Sequence, residues 1–250
     1  MFITFLGTGP DSGIFNQSGK SNRTRSSIFI NNRNFNILID AAPDFLKQAA
    51  KNKITKIDAV LITHPHGDAY GGLKKLNDWL KFPLPLYCQK QTWQIIKSRF
   101  KKLPKIKFEP IIPYKSFKVD KLSILPLAVN HSIINEKKFP TLAYKIQNLI
   151  YCSDVKFISK KSQNYFHKIP YLILDAAMYF KRQIFCHLNT SDALQLAKNL
   201  RVQNLFLTQI GHSYPAYQIA KKEIKQYCQK NNIKTKVKLA FDSLKISTNG

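Results

Sequence analysis

The sequence predicts an α/β fold, classed as α+β in some schemes, in which two sheets are flanked by helices. The first third of the chain is built of short apolar runs separated by turns, and strand-like runs also dominate the middle. The last hundred residues alternate strand-like and helix-like segments, and no linker or composition break divides the chain. With 44% hydrophobic residues, 250 residues can bury a large core. We therefore expect a single domain over residues 1–250.

The elements follow from periodicity and turn residues. Gly7 to Arg25 is a loop rich in Gly, Ser and Asn, and Asn31-Asn32 is typical of a hairpin turn. The predicted strands of the first 152 residues are Ile3–Leu6, Ser27–Ile30, Phe35–Ile39, Ile57–Thr63, Leu84–Cys88, Lys105–Glu109, Leu122–Val129, Thr141–Ile146 and Leu149–Cys152. The predicted helices among them are Asp44–Lys53, Asp68–Leu80 and Gln91–Phe100.

The later part of the chain has clearer helix signals. The run Asn189-Thr190-Ser191 favours a helix start, so we expect a helix over Asp192–Leu200. Amphipathic spacing predicts another helix over Ala216–Lys230. The remaining predicted strands are Tyr171–Asp175, Leu205–Thr208, Val237–Ala240 and Leu244–Ile246.

The charge is strongly positive. Lys and Arg total 40 against 14 Asp and Glu, a formal net charge of +26, which favours anionic partners or substrates. Only six of these cations are Arg (Arg23, Arg25, Arg33, Arg99, Arg182 and Arg201), and the lysines run along the whole chain. This distribution is typical of a compositional bias on a solvated surface, whereas nucleic-acid faces more often cluster arginines. Nucleic-acid binding therefore stays an alternative that the sequence does not favour.

The sequence has no signal for secretion or for membrane insertion. Cys88, Cys152, Cys186 and Cys228 are scattered without a C-x-x-C pair, so we expect reduced core thiols in an intracellular protein. The N-terminus lacks the basic region of a signal peptide, and no apolar run approaches the ~18 residues of a membrane span. We expect a soluble, cytoplasmic protein with no membrane partner.

One motif carries most of the chemical information. His64-x-His66-x-Asp68 lies between a predicted strand and a predicted helix and is followed by Gly71-Gly72. Two imidazoles one residue apart on such a loop can converge on one cation, and the carboxylate can face an adjacent ion or hold a bound water. A chance His-x-His on a loop is the alternative. Further polar residues follow predicted strands and can supply the remaining ligands: His131, Asp154 and His212. Each of them taken alone also fits a surface or capping residue.

With these residues in place, the chain resembles the metallo-β-lactamase-fold hydrolases over nearly its whole length. The motifs that carry the resemblance, in order, are Gly7-Thr8-Gly9, the strand ending at Asp40, His64-x-His66-x-Asp68, His131, Tyr151-Cys-Ser-Asp154 and Leu207-Thr-Gln-Ile-Gly-His212. The chain is most similar to the branch that contains the phosphoribosyl cyclic phosphate phosphodiesterase of phosphonate breakdown. Asp175, the segment from His187 to Leu194, and the ending Ala240 to Ile246 suggest this branch.

The resemblance implies an αββα four-layer sandwich with a metal site at one edge of the two sheets. It implies one or two divalent ions, zinc or manganese with iron also accepted, and hydrolysis by a metal-bound hydroxide. The implied metal ligands are His64, His66 and His131 for the first ion, Asp68 and His212 for the second, and Asp154 between them. Asp68 and His187 are the implied catalytic residues, His187 as a phosphate contact or general acid. A satisfied, partly buried histidine is the alternative for His187, and Asp40 is expected to order the site through a hydrogen bond.

Two departures from the family pattern bear on function. Ala69 stands where the usual motif has a further histidine, so the second ion loses a ligand and a one-metal centre becomes an alternative. The loop from Gly13 to Arg25 has no cysteine, so no structural zinc is expected there. Arg23 and Arg25 in this loop are read as solvated charges, with loop anchoring or a phosphate contact as alternatives.

The leading functional hypothesis is a phosphodiesterase for a cyclic or nucleotide-derived phosphate ester, a small anionic substrate. An RNA-processing nuclease of the same fold is the second hypothesis, although no Gly/Pro-rich insertion suggests an RNA-gripping arm. A degenerate, non-catalytic nucleic-acid-binding member is the third, with Ala69 in its favour. Thioester or lactone hydrolysis stays open because these sites share their chemistry. A homodimer is compatible with the sequence, which does not determine oligomeric state.

Overall fold

The computed structural model describes residues 1–131, 133–134, 137–138, 140–180 and 185–248, with backbone alone at 133–134 and 137–138. Over these residues it contains sixteen strands, seven α-helices and a short 3-10 helix at Gly19–Ser21. The strands are β1 (Phe2–Gly7), β2 (Ser27–Asn32), β3 (Phe35–Ile39), β4 (Ala59–Leu61), β5 (Leu84–Cys88), β6 (Ile106–Pro110), β7 (Phe117–Val119), β8 (Leu122–Val129), β9 (Ile133–Ile134), β10 (Lys137–Lys138), β11 (Thr141–Ile146), β12 (Leu149–Cys152), β13 (Tyr171–Asp175), β14 (Asn204–Thr208), β15 (Lys236–Leu239) and β16 (Lys245–Ser247). The helices are α1 (Phe45–Lys51), α2 (Gly67–Tyr70), α3 (Leu73–Trp79), α4 (Lys90–Arg99), α5 (Lys160–Phe166), α6 (Thr190–Asn199) and α7 (Tyr217–Lys230). Arg182 lies outside the described residues.

Two mixed sheets of seven strands each form the centre of the molecule. The first has the order β16-β1-β2-β3-β4-β5-β6, and the second has the order β15-β14-β13-β12-β11-β8-β7. In the first sheet β3, β4, β5 and β6 are parallel, and in the second β12, β13, β14 and β15 are parallel. The short pair β9 and β10 forms a separate ribbon.

Alternation along the strands builds the layers. In the first sheet Ile37 and Ile39 belong to the core between the two sheets, whereas Leu38 belongs to a core shared with α1, α3 and α4. Successive side chains of a strand point to opposite faces, so one strand serves both cores. In the second sheet Ile173 belongs to the central core, while Leu172 packs in the core that includes residues of α5, α6 and α7. The order of layers is therefore helices, sheet, sheet, helices, which confirms the αββα sandwich.

The helix that was predicted over Asp68–Leu80 is divided into α2 and α3. The break falls at Gly71 and Gly72, where Gly72 donates its N–H to the Ala41 carbonyl at 2.8 Å. A Cβ on Gly72 would stand 2.0 Å from the Ala42 carbonyl oxygen, so only glycine allows this approach. Tertiary packing against the segment after β3 thus interrupts a helical pattern that the sequence presents as continuous.

Some elements escaped sequence analysis because their apolar pattern is weak. The helix α5 buries Ser162 and Phe166 and otherwise presents polar residues. Its start is marked by Ser159, whose side chain accepts a hydrogen bond from the Ser162 N–H at 3.4 Å. The strand β7 has only three residues, below the length at which alternation is readable.

The chain directions bring several strand ends to one edge. The strands β3 and β4 of the first sheet and β8, β12, β13 and β14 of the second all end there, since β8 and β12 both run antiparallel to β11. The Tyr144 hydroxyl of β11 donates to the Ile62 carbonyl after β4 at 2.7 Å, which joins the two sheets next to this edge. Loops at the carboxyl ends of strands are the usual place for a site in layered α/β folds.

Within the described residues, no helix combines the length and the apolar composition that crossing a membrane requires.

Candidate metal centre

Three imidazoles converge at the shared edge. His64 and His66 lie on the loop between β4 and α2, and His131 follows β8. Each offers a ring nitrogen, and these nitrogens lie within 4.8 Å of one another. Nε2 of His131 is 3.2 Å from Nδ1 of His66. This spacing is compatible with one ion bound by three imidazoles.

A second group overlaps the first through His64. Its Nε2 lies 3.8 Å from Asp68 Oδ1 and 3.8 Å from Asp154 Oδ1. All three residues are buried. Asp68 sits in the first turn of α2, and Asp154 follows β12. The structure therefore brings five of the six sequence-predicted metal ligands to one place: His64, His66, Asp68, His131 and Asp154.

Hydrogen bonds fix which nitrogen of His64 faces the carboxylates. Asp40, held at a positive φ of 64°, accepts hydrogen bonds from the Thr63 N–H at 2.8 Å and from the Thr63 hydroxyl at 2.9 Å. Because that hydroxyl gives its proton to Asp40, it accepts at 2.8 Å from Nδ1–H of His64. The Nε2 lone pair of His64 is then directed toward Asp68 and Asp154. Asp40 thus orders the site as expected, acting through Thr63.

The same logic applies to His131. Its Nδ1–H donates to the Cys186 carbonyl at 2.8 Å, so Nε2 carries the lone pair on the side of His66. Cys186 is only half-buried beside the site, and Cys228 is half-buried elsewhere. The expectation of core thiols is right for Cys88 and Cys152 and wrong for these two, because Cys186 lies in the connection between β13 and α6 and Cys228 lies on a partly exposed face of α7.

His187 is tied to a buried carboxylate. Its Nδ1–H donates to Asp175 Oδ2 at 2.6 Å. Asp175, at the end of β13, is fixed in turn by the N–H groups of Val155 and Ala177, both at 2.9 Å. The His187 ring lies 4.7 Å from the His131 ring between centroids. His187 therefore lies beside the imidazole cluster with Nε2 as the ring nitrogen that Asp175 does not use.

Burial and neighbouring charges shift the pKa values in a consistent direction. Burial lowers the pKa of His64, His66 and His131, which favours the neutral imidazole that coordinates metals. Burial by itself would raise the pKa of Asp154, but the charged forms of His64, His131 and His187, together with the Ser153 hydroxyl, hold that pKa below its ordinary value. Burial would lower the pKa of His187, but Asp175 raises it to about 12.

The cluster opens onto a cleft of about 520 Å³. Two arginines, Arg25 and Arg99, line it together with the imidazoles. Arg25 pairs with Asp44 at 3.1 Å and donates from Nε to the Asp11 carbonyl at 2.6 Å. The cleft therefore combines metal-ligating groups with positive charge at its wall.

Arg23 lies in a different environment from Arg25. It is 2% exposed and donates to Thr8 Oγ1 and to the Ala240 carbonyl, both at 2.6 Å. The interpretation of Arg23 as a solvated charge is wrong, because the loop folds over it and closes against the end of the chain. The loop-anchoring alternative is the one that the structure bears out.

His212 is placed apart from the other predicted ligands. It is exposed, and its Nε2 shares a hydrogen bond with Ser12 Oγ at 2.8 Å. Among the described residues, none of the clusters with ligand atoms within 4.8 Å includes His212. Its assignment to a second ion stays a prediction.

Sequence reasoning did not single out Gln209, which the structure puts in the centre. Its Nε2 donates to Asp154 Oδ1 at 2.7 Å and reaches Asp68 Oδ2 at 3.5 Å. The available signal was position, since Gln209 directly follows a strand that ends at the site edge, in the same segment as His212.

The residues fit a divalent ion. Three imidazole nitrogens and two carboxylates form the mixed donor set that zinc, manganese and iron accept. Asp68 Oδ1 is buried, and no described residue donates a hydrogen bond to it. A buried carboxylate oxygen in that state is costly unless a cation or a water compensates it. This oxygen lies next to the His64 nitrogen, where the two clusters overlap.

Comparison with known families decides the lineage. The family described as "Beta-lactamase superfamily domain" matches residues 35–210. The chain belongs to this family. The matched region extends from β3 through β14 and contains Asp40, His64-x-His66-x-Asp68, His131 and Asp154. The metallo-β-lactamase fold that the sequence motifs predicted is confirmed, and family, fold and His/Asp cluster together are those of a metallo-hydrolase.

Solved structures agree on the fold over nearly the whole chain. A diphosphatase from the PhnP family is 24% identical with a TM-score of 0.83, covering 98% of this chain and 96% of that one. Zn²⁺-bound PqqB from Methylobacterium extorquens is 17% identical with a TM-score of 0.81, over 99% of this chain and all of that one. The short form of human tRNase Z is 18% identical with a TM-score of 0.72, and each chain is fully covered. At these identities the likeness establishes the fold.

A curated relative is named as a transferase and not as a hydrolase. An octanoyltransferase of Porphyromonas gingivalis is 27% identical over an alignment of 240 residues, and the match covers 87% of this chain and 47% of that protein. This chain spans about half the length of that relative.

Proposed function

We propose that the protein is a metal-dependent phosphodiesterase that hydrolyses a small anionic phosphate ester, cyclic or nucleotide-derived. The observation that carries the proposal is the convergence of His64, His66 and His131 with Asp68 and Asp154 at an open cleft. The similarity to a diphosphatase of the PhnP family supports phosphate esters over other substrates.

The proposed centre is built from residues that are already oriented. His64, His66, His131 and Asp154 would hold a divalent ion, zinc or manganese with iron as a further candidate. When bound, such an ion lowers the pKa of a water molecule and stabilises negative charge on the phosphate oxygens. The hydrogen bond from His64 to Thr63 and that from His131 to the Cys186 carbonyl keep both imidazoles in the coordinating tautomer.

Asp68 has a separate part in the proposal. Its Oδ1 is buried and receives no hydrogen bond from a described residue, and it lines the cleft. A carboxylate in this position can accept a proton of the attacking water and hold that water in line with the phosphorus atom.

His187 is proposed to serve the leaving group. Asp175 holds Nδ1, so Nε2 can donate a hydrogen bond to a phosphate oxygen or a proton to the departing oxygen. The buried pair works as a positioning device, since Asp175 is itself fixed by two backbone N–H groups. His187 lines the cleft, which the alternative role of a satisfied core histidine does not require.

Charge favours an anionic substrate. Arg25 and Arg99 line the cleft, and the chain carries a formal net charge of +26. Together they raise the local concentration of phosphate esters and orient them with the phosphate toward the imidazoles. Asp44 and the Asp11 carbonyl hold Nη1 and Nε of Arg25, which leaves Nη2 as the fixed donor toward a substrate. Arg99 is exposed and adaptable. A homodimer stays a prediction.

An RNA-processing nuclease is the second candidate, since human tRNase Z shares the fold and the net charge suits RNA. The test compares initial rates on bis(p-nitrophenyl) phosphate, a cyclic ribose phosphate and a transfer-RNA precursor. We expect turnover of the small esters, loss with a chelator and recovery with Mn²⁺ or Zn²⁺. Preference for the precursor RNA would favour the nuclease, and thioester hydrolysis alone would favour an acyl substrate.

Matched variants sharpen the test. Asp154→Asn removes a ligand charge, and we expect at least a ~10²-fold loss of rate. Asp78→Asn makes the same chemical change at an exposed position of α3, where Asp78 pairs with Lys74, and we expect no loss. Equal rates for the two variants would refute the proposed centre.

A further inference from the structure

The side-chain amide of Gln209 reaches both carboxylates of the centre, Asp154 and Asp68. It is 1% exposed, and its carboxamide nitrogen donates to Asp154 Oδ1 at 2.7 Å. The same nitrogen lies 3.5 Å from Asp68 Oδ2, at the limit of a hydrogen bond. One NH₂ group thus spans two buried carboxylates.

The backbone holds Gln209 in this position. It directly follows β14 with a φ of 60°, in the left-handed region that non-glycine residues seldom adopt. The next two residues are fixed on different elements: Ile210 donates its N–H to the Thr8 carbonyl at 2.8 Å, and Gly211 donates to the Ala177 carbonyl at 3.0 Å. A strained conformation that is pinned on the following side indicates that the direction of this side chain matters.

The charges explain what the amide does. Asp68, Asp154 and His64 offer ligand atoms within 4.8 Å of one another, so two carboxylates share a buried space. Two negative groups at this separation repel unless donors or cations lie between them. A carboxamide has two N–H donors and no charge, so it can satisfy one oxygen of each carboxylate.

The other groups that a second ion would need are turned away or missing. Ala69 presents a methyl group, and His212 is hydrogen-bonded to Ser12 at the surface. The amide of Gln209 meets the carboxylates through its nitrogen, and its Oε1 is buried and accepts no hydrogen bond from a described residue.

We propose that the Gln209 carboxamide takes the place of a second cation, so that the centre binds a single divalent ion at His64, His66, His131 and Asp154. The inference rests on the metal centre of the proposed function and is independent of the substrate. It makes Gln209 a positioning residue, which holds Asp68 and Asp154 apart and oriented without taking part as a ligand.

Metal counting tests the proposal directly. Full-length protein is stripped with a chelator, reloaded with Zn²⁺ or Mn²⁺, and its bound metal is measured by elemental analysis and by calorimetric titration. We expect one equivalent in the wild type. In Gln209→Glu a third carboxylate replaces the donor, and we expect a second equivalent to bind. Gln218→Glu, at an exposed position of α7, is the matched control and should stay at one equivalent. Close to two equivalents in the wild type would overturn the proposal.

Thermal unfolding of the metal-free protein gives a second readout. In Gln209→Leu the two carboxylates lose a shared buried donor, and we expect the Tm to fall by about 3–10 °C. In Gln218→Leu we expect no such fall. If wild-type protein binds two ions and Gln209→Leu binds one, Oε1 is a ligand and the proposal is wrong. An unchanged Tm in Gln209→Leu would also refute it.

The outcomes separate this inference from the proposed function. One bound ion without phosphodiester hydrolysis would refute the function and leave the role of Gln209 standing. Two bound ions with hydrolysis would do the reverse.

Discussion

Arg23→Met tests whether the N-terminal loop is held by a buried cation. Arg23 donates to Thr8 Oγ1 and to the Ala240 carbonyl, both at 2.6 Å. Thr8 Oγ1 in turn donates to Asp242 Oδ1 at 2.9 Å, and Asp242 Oδ2 accepts from the Thr24 N–H at 2.7 Å. The guanidinium therefore ties the first loop to the last segment of the chain, in a region that does not line the metal cleft.

The magnitude follows from two opposing terms. Two hydrogen bonds from a charged donor contribute about 1.5–3 kcal/mol each, so their loss costs roughly 3–6 kcal/mol. Burial disfavours the charged guanidinium and lowers the pKa of Arg23 to about 10, so methionine recovers part of that loss. We expect a net destabilisation of about 3 kcal/mol. For a chain of this size this corresponds to a fall in Tm of about 6–12 °C.

The assay is thermal unfolding followed by circular dichroism, with Lys97→Met as control. Lys97 is exposed on α4, and its replacement removes the same charge, so we expect a change within about 0.5 kcal/mol. The specific activity of Arg23→Met at 20 °C should equal that of the wild type. Equal Tm values for the two variants would refute the loop-holding role of Arg23. A raised KM with an unchanged Tm would indicate instead that Arg23 contacts substrate.

Three further predictions concern the site and its support. Gly72→Ala should lower the Tm by at least ~5 °C, because its Cβ would meet the Ala42 carbonyl oxygen at 2.0 Å. Gly67→Ala, whose Cβ would have open space, should unfold near the wild type, and similar melting curves for the two variants would refute the close approach. Asp175→Asn should lower kcat about 10–100-fold, because the amide no longer supports a proton on His187. A double-mutant cycle measures the coupling, and we expect that His187→Ala in the Asp175→Asn background lowers kcat little further. A chelator should abolish turnover and lower the Tm, with Mn²⁺ or Zn²⁺ restoring both; retained turnover in metal-free protein would contradict the proposed centre.

The lysines and the arginines of this basic chain lie in different places in the structure. Most lysines occupy exposed positions along the chain, as a compositional bias predicts, whereas three of the arginines have a defined place in the structure. Arg23 is buried in the loop anchor, and Arg25 and Arg99 line the cleft. Net charge therefore favours the attraction of anions in general, and under the proposed function the two cleft arginines would contact the phosphate.

Local sequence determined the elements and the motif. Apolar alternation and helical spacing located most strands and helices, because these periods are set by backbone geometry. The His64-x-His66-x-Asp68 spacing on a strand-to-helix loop located the candidate metal centre, since residues so close along the chain are also close in space in any fold. The four-layer arrangement came from the order of motifs that resemble a family, and the family match confirms it. The single domain over residues 1–250 stays a prediction.

Tertiary structure alone decided the rest. The division between α2 and α3 results from the contact of Gly72 with the segment after β3, which no window of sequence contains. The burial of Arg23 depends on a segment more than two hundred residues away. Gln209 enters the centre because β14 runs parallel to β12 and β13, so residues 55 positions apart meet at one edge. Periodicity and spacing describe neighbours along the chain, whereas a site at the meeting edge of two sheets is defined by neighbours in space.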